Sequence, residues 1–527
     1  MEEWLSQLWL CHADTLEGHS RKKRQQLSRL LFSNTRVPPR IGRTTTPSQW
    51  VETMAGMKIR WGCVGMIIAY LGQFVLNTKE SDLFFRGFGV DRETLLNQIY
   101  DGTELCLSFC RECNAIDDMF VWLLQEAHIL ASEIKGICHY ESYRIVGELV
   151  GASIAMGLHE KIETDARTPF FLAELRKRFR ATVYMDEINR AAFLGRPPRL
   201  SYRHWNLDPP LDLADPLVLA VPEQLAFTEA GLDPSWNSWN NTPEGTRYFS
   251  LLSSQLDLAM RREEIMDLAL GRYGREEMVC RADVIQQKID ELIASLPEST
   301  TSSGTKQVTA ISAKKLDTLF DEMIYQSCHT SKLLLQRVLI RRAGIGPAGL
   351  VQAAQTTLRM FVTARQYQDL KPAVAAQYMN FFALHGVRSA VILAIEFLKQ
   401  EQLPVYPTEP LLPRSRTIQD LSVLVAKFSS FDPTLGLAPL YTQGREVISR
   451  ILDKILSPPL PATENQPSNA PGQEPNGGFK DTTGGKFIPN TFPGMDEFAL
   501  DFDIPYFGSD RELGEWLENM SWEQPTS

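Results

Sequence analysis

The sequence predicts an all-α protein, and three observations carry that prediction. Apolar residues recur at spacings of three and four through the body of the chain, which is the period of a helix face. No stretch alternates with period two, the mark of a half-buried strand, and no segment repeats. Hydrophobic residues make up 43% of the 527 and charged residues 22%. That composition lies close to the globular norm, so most of the chain can bury a core. It excludes a wholly disordered, collagenous or multi-span membrane protein. The length allows about three structural units, or two with tails.

Charge is distributed unevenly along the chain. The net charge is −10. The amino terminus, Met1-Glu2-Glu3-Trp4, is acidic and has no secretory pattern. Eight cysteines are too few for a disulfide scaffold. Both facts fit a reducing compartment, cytosol or nucleus. Residues 21–43 then hold eight basic residues (Arg21, Lys22, Lys23, Arg24, Arg29, Arg36, Arg40 and Arg43) and no acid. This stretch reads as a disordered basic arm. Its cluster Arg21, Lys22, Lys23, Arg24 has the composition of a nuclear import signal or a phosphate-binding patch, and equally of a solvated loop.

Residues 61–78 carry no charge and are just long enough to raise a membrane helix. Gly62, Gly65, Ala69 and Gly72 share one helical face, which would let a second helix approach closely. A buried helix is therefore the expectation, and no membrane partner is expected. Cys106, Cys110 and Cys113, at spacings of four and three, fall on one helical stripe. A tetrahedral zinc site needs a fourth ligand, so buried thiols are expected instead, and no metal is assigned. Asp117-Asp118 has the look of the magnesium motif of class I terpene synthases, but Val121 stands where a third acid belongs. The pair also suits a helix start, where carboxylates meet the positive end of the dipole.

Helix is predicted almost throughout 118–158. It is clearest at 170–194, where Leu172, Leu175, Phe179 and Val183 keep the spacing. Gly195 ends it, and Pro197 and Pro198 forbid continuation. Further helical patterns cover 247–270, 282–296, 314–341, 349–366, 376–400, 416–427 and 443–456. Gly344, Gly346 and Gly349 match G-x-G-x-x-G, but a helix ending in Arg341-Arg342 precedes them rather than a strand. That reads as a helix end with cations on its dipole, followed by a glycine turn.

Residues 458–489 contain seven prolines and five glycines among 32, which is linker composition. Beyond them, residues 491–527 set nine acids against Arg511 alone. Those acids alternate with Phe498, Leu500, Phe502, Ile504, Tyr506, Phe507, Trp516, Leu517 and Trp522. Acid–aromatic alternation is the composition of a segment that docks into a coactivator groove. The expected organisation is a basic arm (1–45), a helical domain (46–296), a mobile loop (297–310) and a continuation of the same domain (311–456). A linker (457–490) and the acidic-aromatic segment (491–527) follow.

Residues 140–210 resemble the fungal-specific transcription factor domain, the middle homology region of fungal zinc-cluster regulators. YESYRIVGELVGASIAMGLHE resembles the family's A-x-x-x-G-L-H segment, matching it at Gly157, Leu158 and His159, with Ser153 where the alanine belongs. FLAELRKRFRATVYMDEINRAAFLGRPPRL carries a basic helix with Arg176 and Arg178, then Asp186, then Leu194-Gly195-Arg196-Pro197-Pro198. The resemblance is most specific over 151–210 and extends as helical texture over about 45–400. It implies a transcription regulator in the nucleus, acting on RNA polymerase II genes, with DNA and coactivators as partners and possible homo- or heterodimers. It does not imply an enzyme.

The family's binuclear zinc cluster is missing: only Cys11 precedes residue 60. Zinc is expected only if an upstream cluster has been lost from the chain. The same gap would arise in a co-regulator that lost DNA binding, or in a protein that touches phosphates weakly through 21–43. The sequence leaves open a non-DNA-binding partner of an intact factor and, outside regulation, an all-α enzyme of terpene-synthase type.

Overall fold

The computed structural model describes residues 2–18, 20–78, 84–85, 89–136, 139–208, 210–211, 218–219, 248–296, 312–363, 372–429 and 438–457. The expected loop 297–310, the linker 458–490 and the acidic-aromatic segment 491–527 lie outside the described residues. Among the described residues there are fifteen α-helices and no strand, so the all-α class holds.

The first surprise is at the amino terminus. Residues 1–45 do not form a disordered arm. Glu2–Leu16 is helix α1 and Arg21–Thr35 is helix α2. Ser20 caps α2 by accepting from the Lys23 amide. Leu31 is buried, and the Asn34 side-chain amide donates to the carbonyls of Met57 and Ile59 at 2.9 and 3.0 Å. Trp4 of α1 lies 6.2 Å from Trp50 on the short helix α3 (Pro47–Glu52). The structured body therefore starts well before residue 46.

Helices α4 (Trp61–Leu76), α5 (Arg92–Glu112) and α6 (Asp118–Lys135) build the first core. The small-residue face of α4 does what its spacing predicts. A Cβ on Gly65 would stand 2.4 Å from Leu123 Cδ2 and 2.9 Å from Cys106 Cβ, so the three helices meet at backbone distance there. No helix among the described residues is long and apolar enough to cross a membrane. Residues 118–158 are helical almost throughout, as two helices rather than one. Gly136 adopts φ +98°, and His139 caps a new helix, α7 (Tyr140–Ala155).

The long helix α8 (Phe170–Leu194) ends at Gly195 in the left-handed region, φ +63° and ψ +30°. The corner read from Leu194-Gly195-Arg196-Pro197-Pro198 is thus present. A β-branched side chain is poorly tolerated at positive φ. Gly195→Val is expected to cost about 2 kcal/mol of stability, read as a shift in urea midpoint. An unchanged midpoint would remove the corner's importance.

Two further cores complete the body. Helices α9 (Tyr248–Leu270), α10 (Arg275–Ser295) and α11 (Ser312–Ala343) surround one of them. Helices α12 (Ala348–Thr363), α13 (Pro372–Glu401), α14 (Arg414–Ser429) and α15 (Ala438–Leu456) surround the other. Helix α9 joins the cores by packing on both α8 and α11. The G-x-G-x-x-G stretch is the α11–α12 turn, with Gly344 at φ +62°. Arg342, just before it, donates to the carbonyls of Ala269 and Gly271 and so closes the end of α9.

Candidate functional site

Helix α8 carries four charged side chains on its buried side: Glu174, Arg180, Glu187 and Arg190, each at most 5% exposed. Buried charge is tolerated only when paired and hydrogen-bonded. Three of the partners are backbone groups of the run after Gly195. Glu187 accepts from the Arg199 amide at 2.7 Å and from its guanidinium at 2.9 Å. Arg180 donates to the carbonyls of Glu160 and Asp208 at 2.9 and 2.6 Å. Glu174 accepts from the Leu211 amide at 2.8 Å and from Lys177 at 2.7 Å. Burial lowers the Arg180 pKa to about 10, which still leaves it charged at neutral pH. The helix thereby clamps residues 199–211 along its flank.

Part of the family pattern sits in or beside this clamp. Gly157, at φ +75°, turns the chain out of α7, and Leu158 is buried behind it. The His159 carbonyl accepts from the Asn206 amide at 2.9 Å, and its ring lies 6.4 Å from Trp205. Arg196 and Arg199 both lie over the Tyr143 ring, at 4.4 and 3.8 Å. Arg176 reaches away, making a two-armed ion pair with Asp118 at 2.7 and 2.9 Å. Arg178 is half-buried on the same helix. Asp186 faces α6, where it accepts from Gln125 at 2.6 Å, and burial pushes its pKa up. The structure therefore brings Gly157, Leu158, His159, Pro197 and Pro198 together, and sends Arg176, Arg178 and Asp186 elsewhere.

Between these loops and α9 runs a groove of about 540 Å³. His159, Pro197, Tyr202, Trp205, Glu263 and Asp267 are among its lining residues. Its floor is fixed by Glu263, which accepts from the Tyr184 hydroxyl at 2.6 Å and from the Tyr202 amide at 3.0 Å. Apolar walls with a few fixed polar groups are the usual make-up of a ligand groove.

The aspartate pair is committed elsewhere. Asp117 caps α6 through the Phe120 amide, and Asp118 is held by Arg176. Among the described residues no cluster of three or more His, Cys, Asp or Glu side chains is placed to hold a metal ion. Cys63 and Cys106 are buried, and their thiols are pushed up to about 12 by that burial. Cys110 is pushed up further for the same reason.

Arg21, Lys22, Lys23 and Arg24 are exposed on the first turn of α2. Lys23 makes a 3.5 Å ion pair with the exposed Asp14. The activation candidates Phe498, Leu500, Phe502, Tyr506, Phe507, Trp516, Leu517 and Trp522 lie outside the described residues.

Sequence reasoning missed Glu174, Arg180, Glu187 and Arg190. A signal was present, because Arg180 and Glu187 fall between Ala181, Val183, Tyr184 and Ile188 on the apolar side of α8. Charges on an apolar stripe mark a buried clamp. Comparison with family models, with curated proteins and with solved structures gives no match.

Proposed function

We propose that this chain is a transcription regulator of the fungal zinc-cluster type, acting in the nucleus on RNA polymerase II genes. The helical body is the regulatory and dimerisation domain. The first turn of α2 is the import or phosphate-contact element. Residues 491–527 recruit coactivators. The observation that carries this reading is the resemblance over 151–210, together with the interlocking of that stretch around α8. Glu187, Arg180 and Glu174 tie its two halves into one unit. A second observation supports the α2 element. Four cations crowd the positive end of a helix dipole, an arrangement that costs helix stability. Cations placed there and left exposed suit an external anionic partner, an import receptor or nucleic-acid phosphate.

The test is a fusion of residues 491–527 to a foreign DNA-binding domain in a fungal host, read on a reporter. The fusion is expected to activate. Replacing Phe498, Phe502, Phe507 and Trp516 by Ala together removes most of the signal, because a coactivator groove gains from burying large rings. Asp496→Asn alone changes it little, because solvent screens a single exposed charge. A silent fusion would overturn the coactivator role. Replacing Arg21, Lys22, Lys23 and Arg24 by Ala in the full chain tests the import element separately, as reduced nuclear accumulation of a tagged protein.

A further inference from the structure

A second, smaller cleft of about 270 Å³ lies where α8, α9, α11 and α13 converge. Its charge differs from that of the groove described above. The groove carries both signs, with Glu263, Glu264 and Asp267 beside Arg199 and Arg203. The cleft has no Asp or Glu among its described lining residues, but it has Arg262, Arg388 and His385. Hydroxyl and amide side chains of Ser327, Thr330 and Asn189 also line it.

Arg262 is the informative residue. Its Nε donates to Ser331 Oγ at 2.9 Å, one terminal nitrogen to Asn189 Oδ1 at 2.6 Å and the other to the Ser327 carbonyl at 3.3 Å. Every one of these acceptors is neutral. A guanidinium has five N–H donors, so one remains on each terminal nitrogen. A guanidinium held by neutral acceptors, with a donor left on each arm, is prepared for a planar two-oxygen anion. Burial lowers the Arg262 pKa to about 10, so it stays cationic at neutral pH. Arg388 lies over the Phe193 ring at 4.9 Å, which orients a second guanidinium in the same cleft. Burial and the two arginines hold the buried His385 well below its ordinary pKa, so both guanidinium charges are felt at this point. At roughly 30 Å³ per water, the cleft has room for about nine waters.

We propose that this cleft is a binding site for a small oxyanion-bearing metabolite, a carboxylate or a phosphate monoester, clasped by Arg262 and Arg388. The site stands on its own geometry, whatever the fate of the transcriptional reading. Its residues come from helices of all three cores, so an occupant would tie those cores together.

The experiment is a thermal melt and calorimetric titration of the full chain with disodium succinate and with glycerol 3-phosphate. Glycerol, and sodium chloride at matched ionic strength, are the controls. A saturable rise in melting temperature is expected with one or both anions and with neither control. A response to succinate alone assigns a carboxylate, and to glycerol 3-phosphate alone a phosphate ester. The deciding variant is Asn189→Asp. It is nearly isosteric, lies on an exposed position, and supplies Arg262 with an internal carboxylate at the Asn189 contact. It should weaken anion binding at least tenfold without lowering the melting temperature of the free protein. Arg388→Gln should weaken binding comparably. The proposal is overturned if neither anion gives a saturable response, or if Asn189→Asp binds as tightly as the unaltered chain.

Discussion

Replacing Glu187 by alanine is expected to lower the unfolding free energy by about 3–5 kcal/mol, the cost of breaking a buried charged pair from one side. Glu187 is 1% exposed and its two oxygens serve Arg199 alone, the amide with one and the guanidinium with the other. Alanine would leave that amide without its acceptor, strip the counter-charge from Arg199, and leave the buried space of the carboxylate unfilled. Tyr143 would still hold the guanidinium by stacking and by its carbonyl at 3.3 Å, so the clamp should loosen rather than vanish. Glu187→Gln should cost less, because an amide oxygen can still accept from the Arg199 backbone. The comparison that decides the matter is Glu277→Ala. Its partner Arg281 lies 2.9 Å away, but both side chains are about half exposed. Such pairs are worth about 0.5 kcal/mol or less. Urea unfolding of the three variants checks this. Similar costs for Glu187→Ala and Glu277→Ala would mean that the clamp does not hold the body together.

Most helices were legible because their signals are local. The face of α8, its glycine stop and the two prolines lie within about thirty residues, and the structure ends that helix at Leu194. The close approach at α4 was legible too, since glycine and alanine at helical spacing have one physical use. The amino terminus misled because eight cations in a short stretch look like a solvated arm. Leu27, Leu30, Leu31 and Phe32 form a helical stripe in that same stretch, and it packs down once Ser20 caps the first turn. The break at Gly136 was hidden by apolar residues on both sides of it.

The clefts were beyond sequence reasoning for a different reason. Arg262 meets Asn189 and Ser331, 73 and 69 residues away. Nothing near Arg262 in the chain distinguishes it from Arg261, which pairs with Glu264 on its own helix. Only the packing of α8, α9 and α11 separates a guanidinium with a carboxylate partner from one whose partners are all neutral.

Mild acid is expected to destabilise the protein steeply between about pH 6.5 and 5. Three histidines are held neutral inside it. His128 accepts through Nε2 from the Arg190 guanidinium at 3.0 Å. A guanidinium only donates, so this nitrogen must keep its lone pair and the ring cannot protonate without losing the contact. Burial, then Arg190, pulls its pKa down to about 3. Burial likewise pulls His329 down to about 4 and His385 well below the ordinary value.

The sign follows from linkage. These pKa values are depressed in the folded state, so the unfolded chain takes up the protons first. The stabilisation is whole above about pH 6.5 and is lost as the pH falls from there toward the folded values. Each fully buried ring contributes about 1.4 kcal/mol per pH unit in that window. His128 and His385 together should then cost about 3 kcal/mol at pH 5.5, and the half-buried His329 adds less. Glu104, Asp117, Glu126, Asp186 and Asp257 act in the opposite sense. Burial raises their pKa values, so the native state takes up those protons and regains stability as the pH falls. That relief sets in as the pH falls through each carboxyl's raised folded-state pKa, so the measured slope is the histidine loss less the carboxyl relief that falls in the same window. Urea midpoints at pH 7.5, 6.5 and 5.5 measure the net slope. His128→Gln, which cannot titrate, isolates one ring: its slope should fall by about one proton whatever its effect at pH 7.5. A midpoint that stays constant down to pH 5.5 in the unaltered chain would mean that these rings are already protonated, or already open to water, in the folded protein.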